Sequence, residues 1–220
     1  MILAAGRGER MRPLTDFIPK PLLEVSGKPL IVWQIESLAN SGIREIVINV
    51  AHLGEKIVER LGNGSAYGVE ITYSKEEKAL ETAGGIAHAL KLLGSEPFLA
   101  VNSDIYCDFD YSTLGEISDS DLARIVLVDN PPHHPEGDFS LDRGKVLQKS
   151  KHALTFSGIG LYRPELFSGI EDGRPAKLGI LLKEAIAEGR VAGFRHEGTW
   201  IDVGTPERLT QLNSGGRINS

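Results

Sequence analysis

The pattern of apolar and polar positions changes regularly along the first half of the chain, from short apolar runs to amphipathic stretches. The opening run, Met1-Ile2-Leu3-Ala4-Ala5, is apolar at every residue, which is typical of a strand buried on both faces of a parallel sheet. By the same criteria, strands are predicted at 45–50, 69–73 and 98–101 and helices at 30–39, 53–61 and 81–93. Because crossovers between parallel strands are almost always right-handed, this order predicts a doubly wound α/β sheet with ligands at the carboxyl ends of its strands.

The second half of the chain combines this pattern with shorter strands. The stretch 130–138, with its three prolines and one glycine, is predicted to be a loop, and Asp142-Arg143-Gly144 is predicted to be a hairpin turn. The predicted elements are strands at 122–128, 139–141, 146–147, 154–162 and 191–194 and helices at 178–187 and 205–212. We therefore expect a single domain over residues 1–213 with a mixed, mainly parallel sheet, followed by a frayed tail at 214–220.

Composition and charge exclude several classes of function. The 220-residue chain is 41% hydrophobic and 25% charged, which predicts a folded globular protein, and its net charge of −6 argues against a broad basic surface for nucleic acid. The apolar runs are far shorter than the roughly 20 residues that a membrane-spanning helix needs. The single cysteine, Cys107, fits a reducing compartment. We expect a cytoplasmic protein that binds neither nucleic acid nor membrane.

A glycine-rich basic loop follows the first predicted strand. Gly6-Arg7-Gly8-Glu9-Arg10 lets phosphate oxygens approach backbone N–H groups closely, and Arg12 and Lys20 add positive charge nearby. The loop does not complete the dinucleotide fingerprint, because Met11 replaces the third glycine, and the chain contains no GxxxxGK[ST] string. The loop therefore predicts an anion site of a different kind, and a tight turn with solvated arginines is the alternative.

One lysine and two aspartates are further candidates for residues that bind an anion or a metal ion. Lys20 lies between two prolines, which fix the backbone and allow the ammonium group to be aimed; an exposed linker lysine is the alternative. Asp104 ends an apolar strand, where a carboxylate often holds a divalent cation, and a strand cap is the alternative. Asp202 lies between apolar residues, which predicts a second metal ligand or, alternatively, a cap on the following helix.

The start of the third predicted helix and the histidines give weaker signals. The segment 81–85 should leave backbone N–H groups free for a base, ribose or phosphate, although a simple helix start explains it nearly as well. His133 and His134 lack metal-ligand spacing and are interpreted as surface residues.

Taken together, these segments resemble the signature of the sugar-1-phosphate nucleotidylyltransferases. The similar segments are Leu3-Ala4-Ala5-Gly6-Arg7-Gly8-Glu9-Arg10-Met11-Arg12-Pro13-Leu14-Thr15, Pro19-Lys20-Pro21-Leu22, Asn102-Ser103-Asp104, Thr155-Phe156-Ser157-Gly158-Ile159-Gly160 and Trp200-Ile201-Asp202-Val203-Gly204-Thr205-Pro206. Within this family, Leu80-Glu81-Thr82 and 155–160 most resemble the N-acetylmuramate α-1-phosphate uridylyltransferases of peptidoglycan recycling. The resemblance implies a Rossmann-like nucleotidyltransferase fold with a small antiparallel subregion on the sugar side.

The resemblance also implies a reaction. A sugar 1-phosphate would attack the α-phosphorus of UTP in line and release pyrophosphate, so that a nucleoside triphosphate and a sugar 1-phosphate are the expected partners of a monomer or weak homodimer. The alternatives are thymidylyl or guanylyl transfer to a neutral hexose 1-phosphate, or a non-catalytic regulator that binds a nucleotide sugar.

Site residues follow from the same resemblance. Arg10 would grip the departing phosphates, Lys20 would bind the α-phosphate or sugar phosphate, and Asp104 and Asp202 would hold Mg²⁺. The nucleotide would contact Leu3, Ala5, Gly6, Gly8, Glu81 and Gly85, and the sugar would contact Asn102 and Gly158.

Two departures from the family pattern bear on specificity. Gln148-Lys149-Ser150 replaces a common Glu-Lys-Pro, whose glutamate binds sugar hydroxyls, so an acidic sugar such as muramate is expected. Pairing of its carboxylate with Lys149 or Lys151 is one prediction, and two solvent-exposed lysines are the alternative. Ala83 precedes Gly84-Gly85 and interrupts what in relatives is often a run of three glycines, and its methyl group is expected close to the base.

Overall fold

The computed structural model describes residues 1–214 of the chain. The strands within these residues are β1 (Ile2–Leu3), β2 (Glu24–Val25), β3 (Lys28–Pro29), β4 (Glu45–Val50), β5 (Glu70–Lys75), β6 (Phe98–Asn102), β7 (Ile105–Cys107), β8 (Ala123–Val128), β9 (Ser140–Asp142), β10 (Lys145–Leu147), β11 (Thr155–Tyr162), β12 (Val191–Arg195) and β13 (Trp200–Asp202). The α-helices are α1 (Leu30–Asn40), α2 (Gly54–Leu61), α3 (Glu81–Leu93), α4 (Leu178–Ala187) and α5 (Pro206–Asn213).

One mixed sheet organises the described part of the chain. Its strand order is β5-β4-β1-β6-β11-β8-β12-β10-β9, and only β11 and β10 run against the other strands. The predicted α/β class and the mixed, mainly parallel sheet are therefore confirmed. The predictions for β4, α3 and α4 agree with the structure residue for residue.

Helices cover both faces of this sheet, as the doubly wound prediction requires. One apolar cluster contains buried residues of α3 and α4, including Ile86 and Leu182, and the other contains residues of α1 and α2, including Ile35 and Ile57. Burying each such side chain fully contributes about 1.5–3 kcal/mol. The two clusters hold the sheet rigid, so the strand ends that carry the polar residues are fixed in position.

The first strand is shorter than the apolar run 1–5 predicts. Only Ile2 and Leu3 pair with β4 and β6. The N–H of Ala4 instead donates to the side-chain Oδ1 of Asn49 at 2.8 Å. The chain therefore leaves the sheet one residue after β1, and the glycine-rich loop begins there.

A two-stranded ladder that the periodicity does not predict carries both candidate metal ligands. β7 follows Asp104 directly and pairs with β13 in antiparallel register, with Asp202 opposite Ile105. The N–H of Val203 donates to the carbonyl of Asp104 at 2.9 Å. The two aspartates are thus brought to one end of the same ladder.

The described part of the chain ends with α5, and none of its helices could span a membrane. Ser214 closes the last turn of α5, donating its N–H to Thr210 at 3.0 Å, and the remainder of the predicted tail, 215–220, lies outside the described residues. Across residues 1–214, no helix has the length and apolar character needed to cross a bilayer.

Candidate active site

A cavity of about 450 Å³ lies at the carboxyl ends of β1, β4 and β6. The sequence-predicted site residues among those lining it are Leu3, Ala5, Gly6, Gly8, Arg10, Lys20, Glu81, Asn102 and Asp104. Gly85, Gly158 and Asp202 do not line the cavity. Each lies against a residue that does, namely Asn49, Asn102 and Gly204 respectively. This is the location that the doubly wound sheet predicts for a ligand.

The glycine-rich loop is folded around Thr15. Gly8 has φ of +70°, and a Cβ there would lie 3.0 Å from Thr15 Cγ2. The Thr15 hydroxyl donates to the Gly8 carbonyl at 2.9 Å, and Arg7 Nη1 donates to the Thr15 carbonyl at 2.6 Å. The loop shape is therefore set by the protein itself.

Two of the loop's arginines pair with an acid and are not free to bind an anion. Arg7 and Arg12 contact the same oxygen of Asp16, at 2.6 and 2.9 Å. The Arg7 hydrogen bond, with the Arg12 charge beside it, holds the pKa of the Asp16 carboxyl below its usual value. Of the basic residues near the loop, Arg10 is the one that makes no such pair within the described residues, because Lys20 pairs with Asp104.

Arg10 is exposed at the mouth of the cavity. Within residues 1–214 its guanidinium makes no hydrogen bond or ion pair with another protein group. Its Nη2 lies beside Gly204, where a Cβ would be 3.2 Å from it. Arg10 is accordingly placed to receive an anion entering the cavity.

Lys20 is buried rather than solvated. The short 3₁₀ turn Lys20–Leu22 follows Pro19 and brings the side chain against Asp104, with which the ammonium forms an ion pair. Lys20 is only 9% exposed, so the linker alternative does not describe it. Both members of the pair line the cavity.

Asp202 is held by a second basic residue. Arg208 Nη1, from α5, donates to Asp202 Oδ2 at 2.6 Å and to the Asp202 carbonyl at 2.8 Å. The cap of α5 is Thr205, whose hydroxyl accepts from Arg208 N at 3.4 Å, so Asp202 is not the helix cap. His133 is exposed, as predicted, but its Nε2 lies 3.3 Å from Asp202 Oδ2.

These carboxylates fit a hard divalent cation in part. Asp104 lines the cavity, and Asp202 Oδ1 lies beside Gly204, which also lines it. Neither aspartate belongs to a cluster of three or more His, Cys, Asp or Glu ligands among the described residues. Mg²⁺ is commonly bound through one or two carboxylates together with substrate phosphates and water, and this donor set suits that mode.

A buried polar network forms the floor beneath the expected base position. Asn49 Nδ2 donates to Glu76 Oε1 at 2.7 Å, and the N–H of Leu80 donates to Glu76 Oε2 at 2.9 Å. A Cβ on Gly85 would lie 2.7 Å from both Asn49 Nδ2 and Glu76 Oε1. Gly85 therefore makes room for this network, and its own backbone is buried behind it.

The start of α3 differs from the prediction in two respects. The N–H groups of Ala83 and Gly84 are not free, because both donate to the carbonyl of Ala176, at 2.9 and 3.2 Å. The Ala83 side chain is fully buried in the apolar core, so its methyl group does not narrow the cavity as expected. Glu81 has φ of +60°, a conformation that costs a non-glycine residue about 1–2 kcal/mol, and lines the cavity.

Gly158 and Asn102, the two residues predicted to contact the sugar, approach each other closely. Gly158 has φ of +82°, and a Cβ there would lie 2.5 Å from Asn102 Nδ2. Lys149 instead pairs with Glu136 at 2.8 Å on the surface, and neither it nor Lys151 lines the cavity. In this structure the two lysines are not presented to a ligand in the cavity.

Sequence reasoning missed four residues of the site: Asn49, Glu76, Gly204 and Arg208. Asn49 was recognisable as the one polar residue in the run 46–50 of β4, at a position where a buried amide must find partners. Glu76 and Arg208 give no comparable signal, because acidic and basic residues at element ends are usually solvated.

A basic glycine loop, a buried lysine and Asp104 at the carboxyl end of β6, with Asp202 on the neighbouring ladder, are the features expected of a site for a phosphate-bearing nucleotide, and they define a class of protein. The family model described as "Nucleotidyl transferase" matches residues 1–216, and the chain belongs to that family. The family resemblance identified from the motifs is thereby confirmed.

Individual relatives extend this similarity over nearly the whole chain. N-acetylmuramate alpha-1-phosphate uridylyltransferase of Neisseria meningitidis serogroup B is 53% identical over 222 residues, covering 97% of this chain and 96% of that protein. Mannose-1-phosphate guanyltransferase of Aspergillus oryzae is 34% identical over 94% of this chain, which spans 61% of that protein's length. The crystal structure of HddC from Yersinia pseudotuberculosis complexed with GMP-PN shares the fold, with a TM-score of 0.80 at 22% identity and 97% coverage of each chain.

Proposed function

We propose that this protein transfers the uridylyl group of UTP to N-acetylmuramate α-1-phosphate, giving UDP-N-acetylmuramate and pyrophosphate in cell-wall sugar recycling. The observation that carries the proposal is the 53% identity to a uridylyltransferase of that specificity over 96% of its length. The location of Lys20, Asp104 and Asp202 around one cavity end supports the same chemistry.

The reaction requires charge neutralisation more than proton transfer. A phosphate oxygen of the sugar 1-phosphate bonds to the α-phosphorus of UTP as the bond from that phosphorus to the bridging oxygen breaks, and pyrophosphate leaves. Because the attacking oxygen belongs to a phosphate that is largely ionised at pH 7, no residue needs to act as a general base. Catalysis of this kind consists mainly of positioning and electrostatic stabilisation.

The chain's own residues supply these two contributions. Arg10, whose guanidinium is free of protein partners within the described residues, would bind the phosphates that depart as pyrophosphate. Lys20 would neutralise charge on the α-phosphate and the sugar phosphate. Asp104 and Asp202 would hold Mg²⁺, which when bound neutralises phosphate charge and orients the two anionic substrates.

A substrate panel tests the proposal. UTP, GTP, dTTP and ATP are each combined with the 1-phosphates of N-acetylmuramate, N-acetylglucosamine, glucose and mannose, with and without Mg²⁺, and pyrophosphate release is measured. We expect the largest kcat/KM for UTP with N-acetylmuramate α-1-phosphate, and no release when metal, nucleotide or sugar phosphate is omitted. Preference for another pair would replace the substrate assignment.

Guanylyl transfer is the second candidate, because the mannose-1-phosphate guanyltransferase of Aspergillus oryzae is 34% identical over 94% of this chain. GTP with mannose 1-phosphate would then be the preferred pair. Calorimetry showing tight nucleotide-sugar binding without turnover of any pair would favour a regulator instead.

We also propose that the protein is a monomer or weak homodimer and that it is located in the cytoplasm. Sedimentation velocity tests the oligomeric state, and cell fractionation tests the location.

A further inference from the structure

We propose that Arg208 and His133 position Asp202, holding one carboxylate oxygen so that the other alone is presented to a divalent cation. The proposal rests on the proposed function in one respect, since it concerns the same cation. It assigns a role to α5 and to the 130–138 loop, neither of which carries a residue expected to touch the substrates.

The first observation is that Arg208 grips Asp202 at two points. Its Nη1 lies 2.6 Å from Asp202 Oδ2 and 2.8 Å from the Asp202 carbonyl. Charge-assisted hydrogen bonds of this length are about twice as strong as neutral ones. Because one nitrogen holds both the main chain and the side chain of the same residue, rotation of the carboxylate is restricted. The two side chains are 13% and 22% exposed, so water competes weakly for the contact.

The second observation is that His133 supports the arginine. His133 Nε2 lies 2.9 Å from Arg208 Nη1 and 3.3 Å from Asp202 Oδ2. A guanidinium N–H can only donate, and Nη1 has two hydrogens for three acceptors, so the imidazole nitrogen shares one of them with Asp202. His133 therefore contacts both members of the pair, and the 130–138 loop and α5 meet at the aspartate.

The third observation concerns the other carboxylate oxygen. A Cβ on Gly204 would lie 2.8 Å from both Asp202 Oδ1 and Arg208 Nη2 and 3.2 Å from Arg10 Nη2. Gly204 lines the cavity next to the glycine-rich loop. Oδ1 is thus next to the cavity lining and accepts no hydrogen bond from the described residues, whereas Oδ2 is held by Arg208.

Charge and geometry make opposite predictions for the loss of Arg208. Removing a positive charge next to Asp202 would strengthen cation binding if Coulomb attraction decided the outcome. Losing the group that orients a metal ligand weakens metal affinity or activity by about 10- to 100-fold. Since Arg208 constrains both the backbone and the carboxylate of Asp202, orientation decides, and metal binding is weakened.

Direct Mn²⁺ binding, followed by electron paramagnetic resonance with UTP present, tests the proposal without relying on turnover. The variants are Arg208→Met, which keeps the aliphatic stem, Arg208→Lys, which keeps the charge but not the fork, and His133→Gln. Arg174→Met is the matched control, because Arg174 pairs with Glu171 on the exposed surface. We expect Mn²⁺ affinity to fall about 10- to 100-fold in Arg208→Met, less in the other two variants, and not at all in the control.

Two results would overturn the proposal. One is Mn²⁺ binding that is unchanged or tighter in Arg208→Met, and the other is a raised KM for the sugar 1-phosphate at unchanged Mn²⁺ affinity, which would make Arg208 a substrate-binding residue. If the Arg208 variants fail to fold by circular dichroism, His133→Gln decides, since His133 lies on an exposed loop. Weakened Mn²⁺ binding in a protein that turns over no substrate pair would support the positioning role while refuting the transferase function.

Discussion

The ammonium group of Lys20 and the carboxylate of Asp104 form an ion pair inside the cavity, between residues 84 positions apart in the sequence. Asp202 is paired in the same way with Arg208. Both aspartates proposed to hold the cation are therefore paired with a basic side chain. A divalent cation held by Asp104 would replace Lys20 as its counter-charge, and the ammonium would then be available to a phosphate.

Replacing Lys20 should reduce turnover far more than substrate binding. Lys20→Ala removes a preorganised cation from the reacting phosphates, and we expect kcat to fall about 10²- to 10³-fold. Lys20→Arg should restore only part of this, because a forked guanidinium does not fit the position of a compact ammonium fixed after Pro19. Steady-state pyrophosphate release measures both effects. A wild-type kcat in Lys20→Ala would show that the lysine has no part in the reaction.

Replacing either candidate metal ligand should cost about 3–4 kcal/mol of transition-state stabilisation, because the cation offsets charge on two anionic substrates. We expect Asp104→Asn and Asp202→Asn to lower kcat/KM accordingly and to raise the Mg²⁺ concentration needed for half-maximal rate. Asp119→Asn is the control, since Asp119 is fully exposed and pairs with Arg163. Thermal melts separate lost function from lost folding, and full activity in either variant would assign that aspartate a purely structural role.

Adding one methyl group at Gly85 should disturb the floor of the cavity. The Cβ of Gly85→Ala would meet Asn49 Nδ2 and Glu76 Oε1 at 2.7 Å, and overpacking of this kind costs about 1–3 kcal/mol of stability. Gly179→Ala is the matched control, because nothing lies within 4 Å of a Cβ there and the residue is in α4. Because Gly179 is in the first turn of α4, alanine there should leave the stability unchanged or raise it by at most about 0.5–1 kcal/mol. Urea denaturation measures the free energy of unfolding of both variants, and equal values for the two would contradict the packing argument.

The thiol of Cys107 should react slowly in the folded protein. Burial raises the pKa of Cys107 to about 12, although a hydrogen bond from the N–H of Phe109 to Sγ, at 3.2 Å, partly opposes this. Because the thiolate is the reactive form, only about one molecule in 10⁴ is reactive at pH 8, and the rate should rise about tenfold per pH unit below that pKa. The rate of labelling of Cys107 by a disulfide reagent is measured in native buffer and in urea, which compares the folded with the unfolded protein. Equal rates under the two conditions would refute the prediction.

Contiguous motifs made most of the cavity predictable. The glycine loop, Lys20 and Asp104 are each marked by their immediate neighbours in sequence, and the apolar periodicity specifies the strands that bring them together. Asn49 and Glu76 could not be assigned in this way, because their hydrogen-bond partners are distant in the sequence. Asn49 contacts Ala4, which lies 45 residues before it, and Glu76, which lies 27 residues after it. The β7–β13 ladder was missed for a different reason, since three-residue strands are too short to show alternation.

The hydrogen-bonded chain from Ala4 through Asn49 and Glu76 to Leu80 has a thermodynamic consequence for nucleotide binding. Each side chain in it is already fixed by a partner within the protein. Immobilising a flexible side chain at a binding surface costs about 0.5–1.5 kcal/mol, and here that entropy is lost when the protein folds. A nucleotide bound over this network would therefore meet a preorganised surface, and more of its contact energy would remain as affinity.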